Sequence, residues 1–263
     1  MRIIVCVKQV PDPEQAKMDK EKGTVVREGV PLIVNPFDLY AVEEALRIKE
    51  RVGDVEVVAI SMGPPQAEEA LREVIAMGVD TAYLISDRAF AGADTLATSY
   101  TLSRAIEWIG DYDLIICGKQ AIDGDTAQVG PGIAAHLDLP QITYVRKIEE
   151  IKEGYIRAER MVEDGYYVVE APLPCVITVV KEINEPRLPT LKGKLRAKKA
   201  EIPVLTPDRI NADPDKIGVS GSPTEVIEIY SPEIKKEGRI YQAEEIEKAV
   251  EDMIEILKKK GVL

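Results

Sequence analysis

Short apolar runs alternate with longer amphipathic segments in the first half of the chain. The runs at 2–7, 55–63, 81–86 and 113–118 are rich in β-branched residues and contain almost no polar positions. Such runs are typical of strands that are covered on both faces, as they are in parallel sheets. A further short element is predicted at 31–36.

Between these runs, apolar residues recur with the period of an α-helix. We predict helices at 35–53, 65–78 and 94–110, each of which ends at a glycine. Asn35 is placed to cap the first helix, and Pro36 suits its first turn. The alternation of strands and helices predicts right-handed crossovers and therefore a doubly wound, mostly parallel α/β sheet of the Rossmann-like kind.

The pattern changes near residue 141, where apolar and polar positions begin to alternate and glycine turns appear. This predicts an antiparallel extension of the sheet. The segment 184–203 is rich in Pro and Lys and is predicted to be a loop followed by a short helix, and 242–261 is predicted to be an amphipathic helix. We therefore divide the chain into an α/β domain at 1–183 and a C-terminal part at 184–263.

Charge and cysteine content exclude several classes of protein. The chain has 34 basic and 46 acidic residues, a net charge of -12, which disfavours nonspecific binding to nucleic acid or anionic membranes. No apolar stretch approaches the roughly 18 residues of a membrane-spanning helix. Cys6, Cys117 and Cys175 each lie in an apolar run without CxxC spacing. They predict buried, reduced thiols in a cytoplasmic protein and no metal site.

Polar loops follow the predicted strands. They lie at 7–12, 61–66, 86–95 and 118–132, and we expect them to line one crevice together with 34–38. In open α/β sheets, ligands bind beyond the carboxyl ends of the strands. Glycines let the backbone approach a ligand, and the amides at the helix starts predicted near 95 and 126, in the last two loops, are suited to phosphate.

Hydroxyl, amide and guanidinium groups in these loops are candidate ligand donors. Thr95, Thr98, Thr126 and Gln128 are neutral donors. Arg88 is the only firm positive charge in its loop and is a candidate partner for a diphosphate.

Several of the polar residues also have structural interpretations. Asn35, Asp94 and Asp125 stand where helix caps are expected. Asp123 and Asp125 together would repel a phosphate, so they are expected to order the turn, to contact a ribose or to stay solvated. His136 is the only histidine and is interpreted as a surface or structural residue.

The usual phosphate-binding and nucleophile motifs are absent. There is no GxGxxG after the first strand, no GxxxxGK(S/T) and no GxSxG. VSGSPTEV at 219–226 superficially resembles the SGGxDS loop of ATP pyrophosphatases, but it lies too late in the chain to follow a first strand. From the residues alone we expect an α/β protein that binds a nucleotide and has no evident catalytic groups of its own.

Seven stretches then occur in order along nearly the whole chain: VKQVPD, NPFDLYAVEEALRIKE, SMGP, AMGVD, GKQAIDGDTAQVGP, AERMVEDGYYVVEAPLPCVIT and NEPRLPTLKGKLRAKKAEI. Together they resemble the beta subunit of electron-transfer flavoproteins. One departure is Tyr167, where that family is expected to have Glu or Gln. We expect this position to be exposed and away from the nucleotide, so it weakens the resemblance little.

The resemblance implies a fold of the adenine-nucleotide alpha-hydrolase type and a C-terminal segment that docks on a partner. It implies a heterodimer with an alpha subunit that holds FAD. The beta subunit then holds a second adenine nucleotide, either AMP or FAD. The positions implied to contact it are Cys6, Asn35, Pro36, Phe37, Asp38, Met62, Gly118, Lys119, Gln120, Ala121, Ile122, Asp123, Gly124, Asp125, Thr126, Ala127, Gln128 and Val129.

The stretch SDRAFAGADTLATS at 86–99 resembles the loop of the electron-bifurcating, FixA-like members, in which the beta subunit carries FAD. In such complexes NADH reduces this flavin. One electron passes to a ferredoxin or flavodoxin, and the other passes through the alpha-subunit FAD to a dehydrogenase or quinone-linked oxidoreductase. Leu191 matches the loop that recognises partner dehydrogenases. Further cofactor-binding candidates are Arg88, Gly92, Asp94, Thr95 and Thr98.

Three hypotheses follow. The favoured one is a bifurcating beta subunit that is cytoplasmic, or held at a membrane by partner subunits, and is not itself embedded there. The second is a carrier subunit that binds AMP structurally and passes electrons from dehydrogenases to a quinone reductase. The third is a nucleotide-sensing module similar to universal stress proteins, for which a shorter chain and a Gly-rich nucleotide loop are expected.

Overall fold

The computed structural model describes residues 1–14, 17–19, 24–26, 30–152, 154–227 and 238–263. The chain forms two compact units, Met1–Glu228 and Ile229–Leu263. The predicted division into 1–183 and 184–263 is not tested by this division and stays a prediction.

In the described residues the predicted strands and helices occur in the predicted order, and the structure adds short strands at 9–11, 17–19, 24–26 and 204–205 that were not predicted. The strands are β1 (Arg2–Cys6), β2 (Gln9–Pro11), β3 (Lys17–Asp19), β4 (Thr24–Val26), β5 (Leu32–Val34), β6 (Glu56–Met62), β7 (Thr81–Ile85), β8 (Leu114–Gly118), β9 (Gln141–Lys152), β10 (Tyr155–Val162), β11 (Gly165–Pro172), β12 (Cys175–Val179) and β13 (Val204–Leu205). The α-helices are α1 (Pro36–Val52), α2 (Glu68–Met77), α3 (Thr95–Ile109), α4 (Val129–His136), α5 (Leu191–Lys199) and α6 (Ile246–Lys259).

The main sheet has the strand order β11-β10-β9-β12-β8-β1-β6-β7-β13. Every pair from β9 to β13 in this order is parallel, whereas β10 and β11 pair antiparallel at one end. The predicted doubly wound, mostly parallel sheet with an antiparallel extension is therefore confirmed. The short element predicted at 31–36 stands outside this sheet, because β5 pairs with β2 instead. Tyr167 lies on the edge strand β11 and is 64% exposed.

Two hydrophobic layers cover the sheet, one on each face. Successive side chains of a strand point to opposite faces, so Ile3 and Val5 of β1 pack with α1 and α2. Ile4 and Cys6 pack instead with residues of α3 and α4. Each fully buried isoleucine contributes about 1.5–3 kcal/mol. This two-sided burial explains why β1 has no polar position from Ile3 to Cys6.

Two arginines, one on each helix, hydrogen-bond α5 to α2 and to the segment just after α2. Arg196 on α5 donates to the carbonyl oxygen of Val79, just after α2, at 2.7 Å. Arg72 on α2 donates to the carbonyl oxygen of Ala197 near the end of α5. Arg196 thus binds a carbonyl group just after the end of α2, and Arg72 binds one in the last turn of α5.

The second unit contains the predicted C-terminal helix, α6. Within this unit the hydroxyl of Tyr241 donates to the carboxylate of Asp252 at 2.5 Å and ties the segment before the helix to the helix itself. No helix among the described residues combines the length and apolar character needed to cross a bilayer.

Candidate functional site

A cavity of about 400 Å³ opens where β1, β6 and β8 end. Cys6, Met62 and Gly118, the last residues of these three strands, line its base. Its volume falls within the roughly 300–1,000 Å³ of small-molecule sites, and its position is the one expected for ligands of open parallel sheets.

Most of the predicted cofactor residues lie in the lining of this cavity. They are Cys6, Asp38, Met62, Gly92, Asp94, Thr95, Thr98, Gly118, Lys119, Gln120, Ala121, Gly124, Asp125, Thr126, Ala127, Gln128 and Val129. The predicted residues that lie outside the lining are Asn35, Pro36, Phe37, Arg88, Ile122 and Asp123. The lining also contains residues that were not predicted to bind the cofactor, although most of them lie in the loops that were expected to line the crevice: Val7, Lys8, Phe90, Ala93, Leu102, Cys117 and Gly130.

Asn35 is fully buried and holds the loop that follows β8. Its Nδ2 donates to the carbonyl oxygen of Gln120 at 2.9 Å, and its Oδ1 accepts from the backbone N–H of Ile122 at 3.1 Å. Asn35 stands at the N-cap position of α1 but makes no side-chain capping bond. The prediction of a capping side chain is therefore wrong, because Nδ2 and Oδ1 of Asn35 are both hydrogen-bonded to the backbone of the loop after β8.

Asp38 is a buried carboxylate in the cavity wall. Its Oδ2 accepts from the backbone N–H of Lys8 at 2.8 Å, and a side chain at Gly118 would collide with its Oδ1. Burial raises the pKa of Asp38 to about 7, against the opposing effect of hydrogen bonds from the Asn35 side chain and the Lys8 N–H. The cavity wall thus contains a carboxyl group that titrates near neutral pH.

The loop between β8 and α4 has an unusual backbone. Asp125 and Ala127 adopt positive φ angles of 56° and 54°. This conformation costs an alanine about 1–2 kcal/mol, so the surrounding structure must hold it. Residues that switch between right- and left-handed conformations direct successive N–H groups toward one side, an arrangement suited to anions.

The helix after this loop begins later than predicted. α4 starts at Val129, with Gln128 at its N-cap position, so the predicted start near residue 126 is wrong. Asp125 consequently does not cap α4, and its carboxylate accepts instead from the side-chain amide of Gln120. The positive φ of Asp125 explains the error, because that residue still belongs to the turn.

Two lysines lie beside the loop between β8 and α4. The Nζ of Lys8 is 2.7 Å from a carboxylate oxygen of Asp123, which offsets part of the negative charge there. The Nζ of Lys119 lies 5.4 Å from the centre of the Tyr144 ring. Both lysines line the cavity, so an anionic ligand would meet positive charge at this side.

The segment 88–98, which we call the second wall, encloses the cavity opposite this loop. Asp94 caps α3 as predicted, since its Oδ1 accepts from the backbone N–H groups of Leu96 at 2.9 Å and Ala97 at 3.1 Å. The hydroxyl of Thr95 donates to the side-chain oxygen of Gln128 at 2.9 Å and joins the two sides. The starts of α3 and α4 thus both face the cavity, and their dipoles favour phosphate.

Cys6 and Cys117 are directly opposite each other on β1 and β8. All three cysteines are free and buried, as predicted. A hydrogen bond with Cys117, together with burial, holds the pKa of Cys6 well above its usual value. Cys6 is therefore protonated at neutral pH and contributes a small apolar surface rather than a nucleophile.

These residues fit a nucleotide that carries phosphate groups. Apolar side chains, including Met62, Phe90 and Leu102, supply surface for a ring system. Backbone amides of the loop after β8, the starts of α3 and α4, and the lysines supply donors for anionic groups.

Two predicted residues lie elsewhere on the surface. Leu191 begins α5 and is 77% exposed, and the hydroxyl of Thr190 accepts the backbone N–H of Gly193 to cap that helix. His136 is exposed at the end of α4, with its ring centre 5.6 Å from that of Tyr100.

Comparisons with known proteins agree with the resemblance seen in the motifs. The family model for the electron transfer flavoprotein domain matches residues 22–210. The electron transfer flavoprotein subunit beta of Thermoanaerobacterium thermosaccharolyticum is 50% identical over 264 residues, which cover 100% of both chains. The caffeyl-CoA reductase-Etf complex subunit CarD of Acetobacterium woodii is 46% identical over 100% of both chains. Protein FixA of Azotobacter vinelandii is 48% identical over 88% of this chain and 84% of its own.

Proposed function

This chain belongs to the electron transfer flavoprotein family as a beta subunit, and we propose that it binds FAD in the cavity and serves electron bifurcation. Family membership implies electron transfer in a heterodimer with an alpha subunit. In the proposed reaction NADH is the hydride donor. One electron goes to a ferredoxin or flavodoxin, and the other goes to the FAD of the alpha subunit.

The proposal of FAD rests mainly on the second wall, several of whose residues line the cavity opposite the loop after β8. A mononucleotide such as AMP needs little more than the loop after β8 and the ends of β1 and β6. Phe90, Gly92, Thr95 and Thr98 extend the cavity lining on the opposite side. They come from the stretch that resembles bifurcating members, and the bond between Thr95 and Gln128 makes both sides one site.

Bound FAD would supply the hydride acceptance and one-electron transfer that side chains cannot perform. The residues of this chain bind and orient. The helix starts at Thr95 and Val129 and the amides of the loop after β8 would hold the diphosphate. Asn35 and Asp38 fix that loop and the strand ends in place. Arg88 is exposed at the start of the second wall, where we propose that it meets the outer end of the diphosphate.

Apolar residues of the cavity would keep water away from the reactive part of the ligand. Phe90 and Leu102 come from the second wall and α3, and both are buried. Water exclusion strengthens every electrostatic contact in the site. Asp38 is the lining carboxyl that can hold or release a proton near neutral pH.

We propose that the exposed start of α5 recognises the partner oxidoreductase through Leu191. Leu188 and Leu195 are also exposed there, which gives the helix start an apolar surface. Two relatives are named as parts of caffeyl-CoA and acryloyl-CoA reductase systems. A dehydrogenase or quinone-linked oxidoreductase of the cytoplasm, or one that is held at a membrane, is the corresponding partner here.

The proposal is tested by asking whether reduction of ferredoxin depends on simultaneous reduction of the acceptor of the partner dehydrogenase. NADH-dependent ferredoxin reduction is measured with the purified heterodimer and its partner dehydrogenase, with and without the acceptor of that dehydrogenase. Bifurcation predicts that ferredoxin is reduced only while the acceptor is also consumed. Reduction of the acceptor with no ferredoxin reduction would instead support the carrier that binds AMP.

A further inference from the structure

A late segment of the chain packs directly on the second wall. We call this segment, 217–224, the brace. A side chain at Gly218 would collide with the carbonyl oxygen of Ala89, and a Cβ at Gly92 would lie 2.6 Å from Val219. Both glycines have positive φ angles, 53° and 73°. The two segments therefore approach each other more closely than residues with side chains would allow.

The brace is bonded to Asp94 by three hydrogen bonds. The Oδ2 of Asp94 accepts from the backbone N–H of Thr224 at 3.2 Å and from its hydroxyl at 2.8 Å. The backbone N–H of Asp94 donates to the hydroxyl of Ser222 at 2.8 Å, and that hydroxyl donates to the carbonyl oxygen of Gly218 at 2.6 Å. The same Asp94 caps α3 through Oδ1, so one carboxylate joins the brace to the helix start.

The ionisation of Asp94 agrees with this geometry. Partial burial alone would raise its pKa, but hydrogen bonds from the Ala97 N–H and the Thr224 hydroxyl lower the pKa below its usual value. The carboxylate is thus charged at neutral pH, and hydrogen bonds to charged groups are among the stronger ones in proteins.

We propose that Ser222 and Thr224 are positioning residues for the cofactor, which act through Asp94 to hold the second wall against the cavity. The inference rests on the proposed function in one respect, that the cavity holds a nucleotide. The brace lies beyond the residues 22–210 matched by the family model. It includes most of the stretch that superficially resembled a pyrophosphatase loop, but the hydroxyl groups of Ser222 and Thr224 contact protein atoms.

The test compares variants that remove only hydroxyl groups. S222A and T224V, singly and together, remove the side-chain bonds to Asp94. T224S keeps the hydroxyl and is the rescue variant. S220A removes an exposed hydroxyl from the same segment and is the matched control. All are prepared as the copurified heterodimer, and unfolding midpoints establish that each variant is folded; the single variants serve if the double variant is not.

Two measurements test the role of the brace whether the bound nucleotide is FAD or AMP. The rate of release of the bound nucleotide is measured, with FAD and AMP distinguished by chromatography, and amide hydrogen exchange is measured across 88–97. We expect the double variant to release nucleotide about tenfold faster and to exchange about tenfold faster in this range. S220A and T224S are expected to behave as the wild type.

The outcomes are distinguishable. AMP in place of FAD, released faster from the double variant, overturns the proposed function and supports the brace. Absence of any nucleotide from the wild type also overturns the proposed function, and exchange in 88–97 then decides on the brace. Unchanged exchange in a folded double variant overturns the brace, whichever nucleotide is present.

Discussion

Thr95 donates its hydroxyl hydrogen to the side-chain oxygen of Gln128 at 2.9 Å and so connects the second wall to the loop after β8. The two residues are 33 positions apart and stand at the starts of α3 and α4. A ligand between these helix starts would be enclosed by two segments that the Thr95–Gln128 hydrogen bond already holds together. Such preorganisation lowers the cost of ordering the site when it binds.

Removal of this bond is predicted to weaken nucleotide binding. T95V has nearly the shape of threonine but cannot donate to Gln128. A neutral hydrogen bond contributes about 0.5–1.5 kcal/mol, so we expect the dissociation constant for the nucleotide to rise about two- to tenfold. Equilibrium binding to the nucleotide-free heterodimer measures this. T95S keeps the hydroxyl and should bind as the wild type, and equal weakening in both variants would contradict the prediction.

Asn35 is predicted to stabilise the folded protein through its bonds to the loop after β8. N35A leaves the N–H of Ile122 and the carbonyl of Gln120 without their present partners. Each polar group stranded in this way costs about 1–3 kcal/mol, so for the two groups we expect the free energy of unfolding to fall by about 2–6 kcal/mol. Denaturant titration of the heterodimer measures it. Q66A, at an exposed glutamine, should change stability by less than about 0.5 kcal/mol.

Asp38 is predicted to make stability depend on pH. Its pKa is raised by burial from 3.8 in the unfolded chain to about 7 in the folded one. Between these values the folded protein holds a proton that the unfolded chain has lost, so the contribution of Asp38 declines as pH rises. Relative to D38N, the wild type should lose on the order of 2–4 kcal/mol across this interval.

Unfolding free energies of the two proteins, measured across the same pH series, test this point. The stability of the wild type relative to D38N should be highest in acid, should fall as pH rises, and should level off above about pH 7. Parallel pH curves for the two proteins would show that this carboxyl group does not titrate in the interval.

The attachment of α5 to α2 is predicted to affect partner binding but not the cofactor. R196A removes the donor to the carbonyl of Val79, which is not part of the cavity lining. We expect about a tenfold loss of affinity for the partner oxidoreductase, with unchanged nucleotide content, because the helix that presents Leu191 loosens. K198A removes an exposed charge from the same helix and is the control. Loss of nucleotide in R196A would contradict this separation.

The regular elements could be predicted because burial on both faces leaves a clear signal in the sequence. β1, β6 and β8 have nearly uninterrupted apolar runs, and α1 and α3 have a helical period with recognisable ends. The start of α4 could not be predicted in the same way. Its preceding turn contains residues with positive φ, and aspartate is also common at helix caps.

Parts of the site depend on contacts between distant residues, which a single sequence does not reveal. Cys117 joins the lining because strand register places it opposite Cys6. Leu102 joins it because it lies one helical turn after Thr98. The bond between Thr224 and Asp94 spans 130 positions, and no local pattern signals it.

Binding of FAD in the cavity is tested by the nucleotide content of the heterodimer copurified with its alpha subunit. The complex is denatured, and the released FAD and AMP are separated and quantified against protein. We expect FAD in both subunits and no AMP, with the second FAD lost preferentially from T95V. One FAD and one AMP per heterodimer would contradict this expectation and would leave a simple electron carrier.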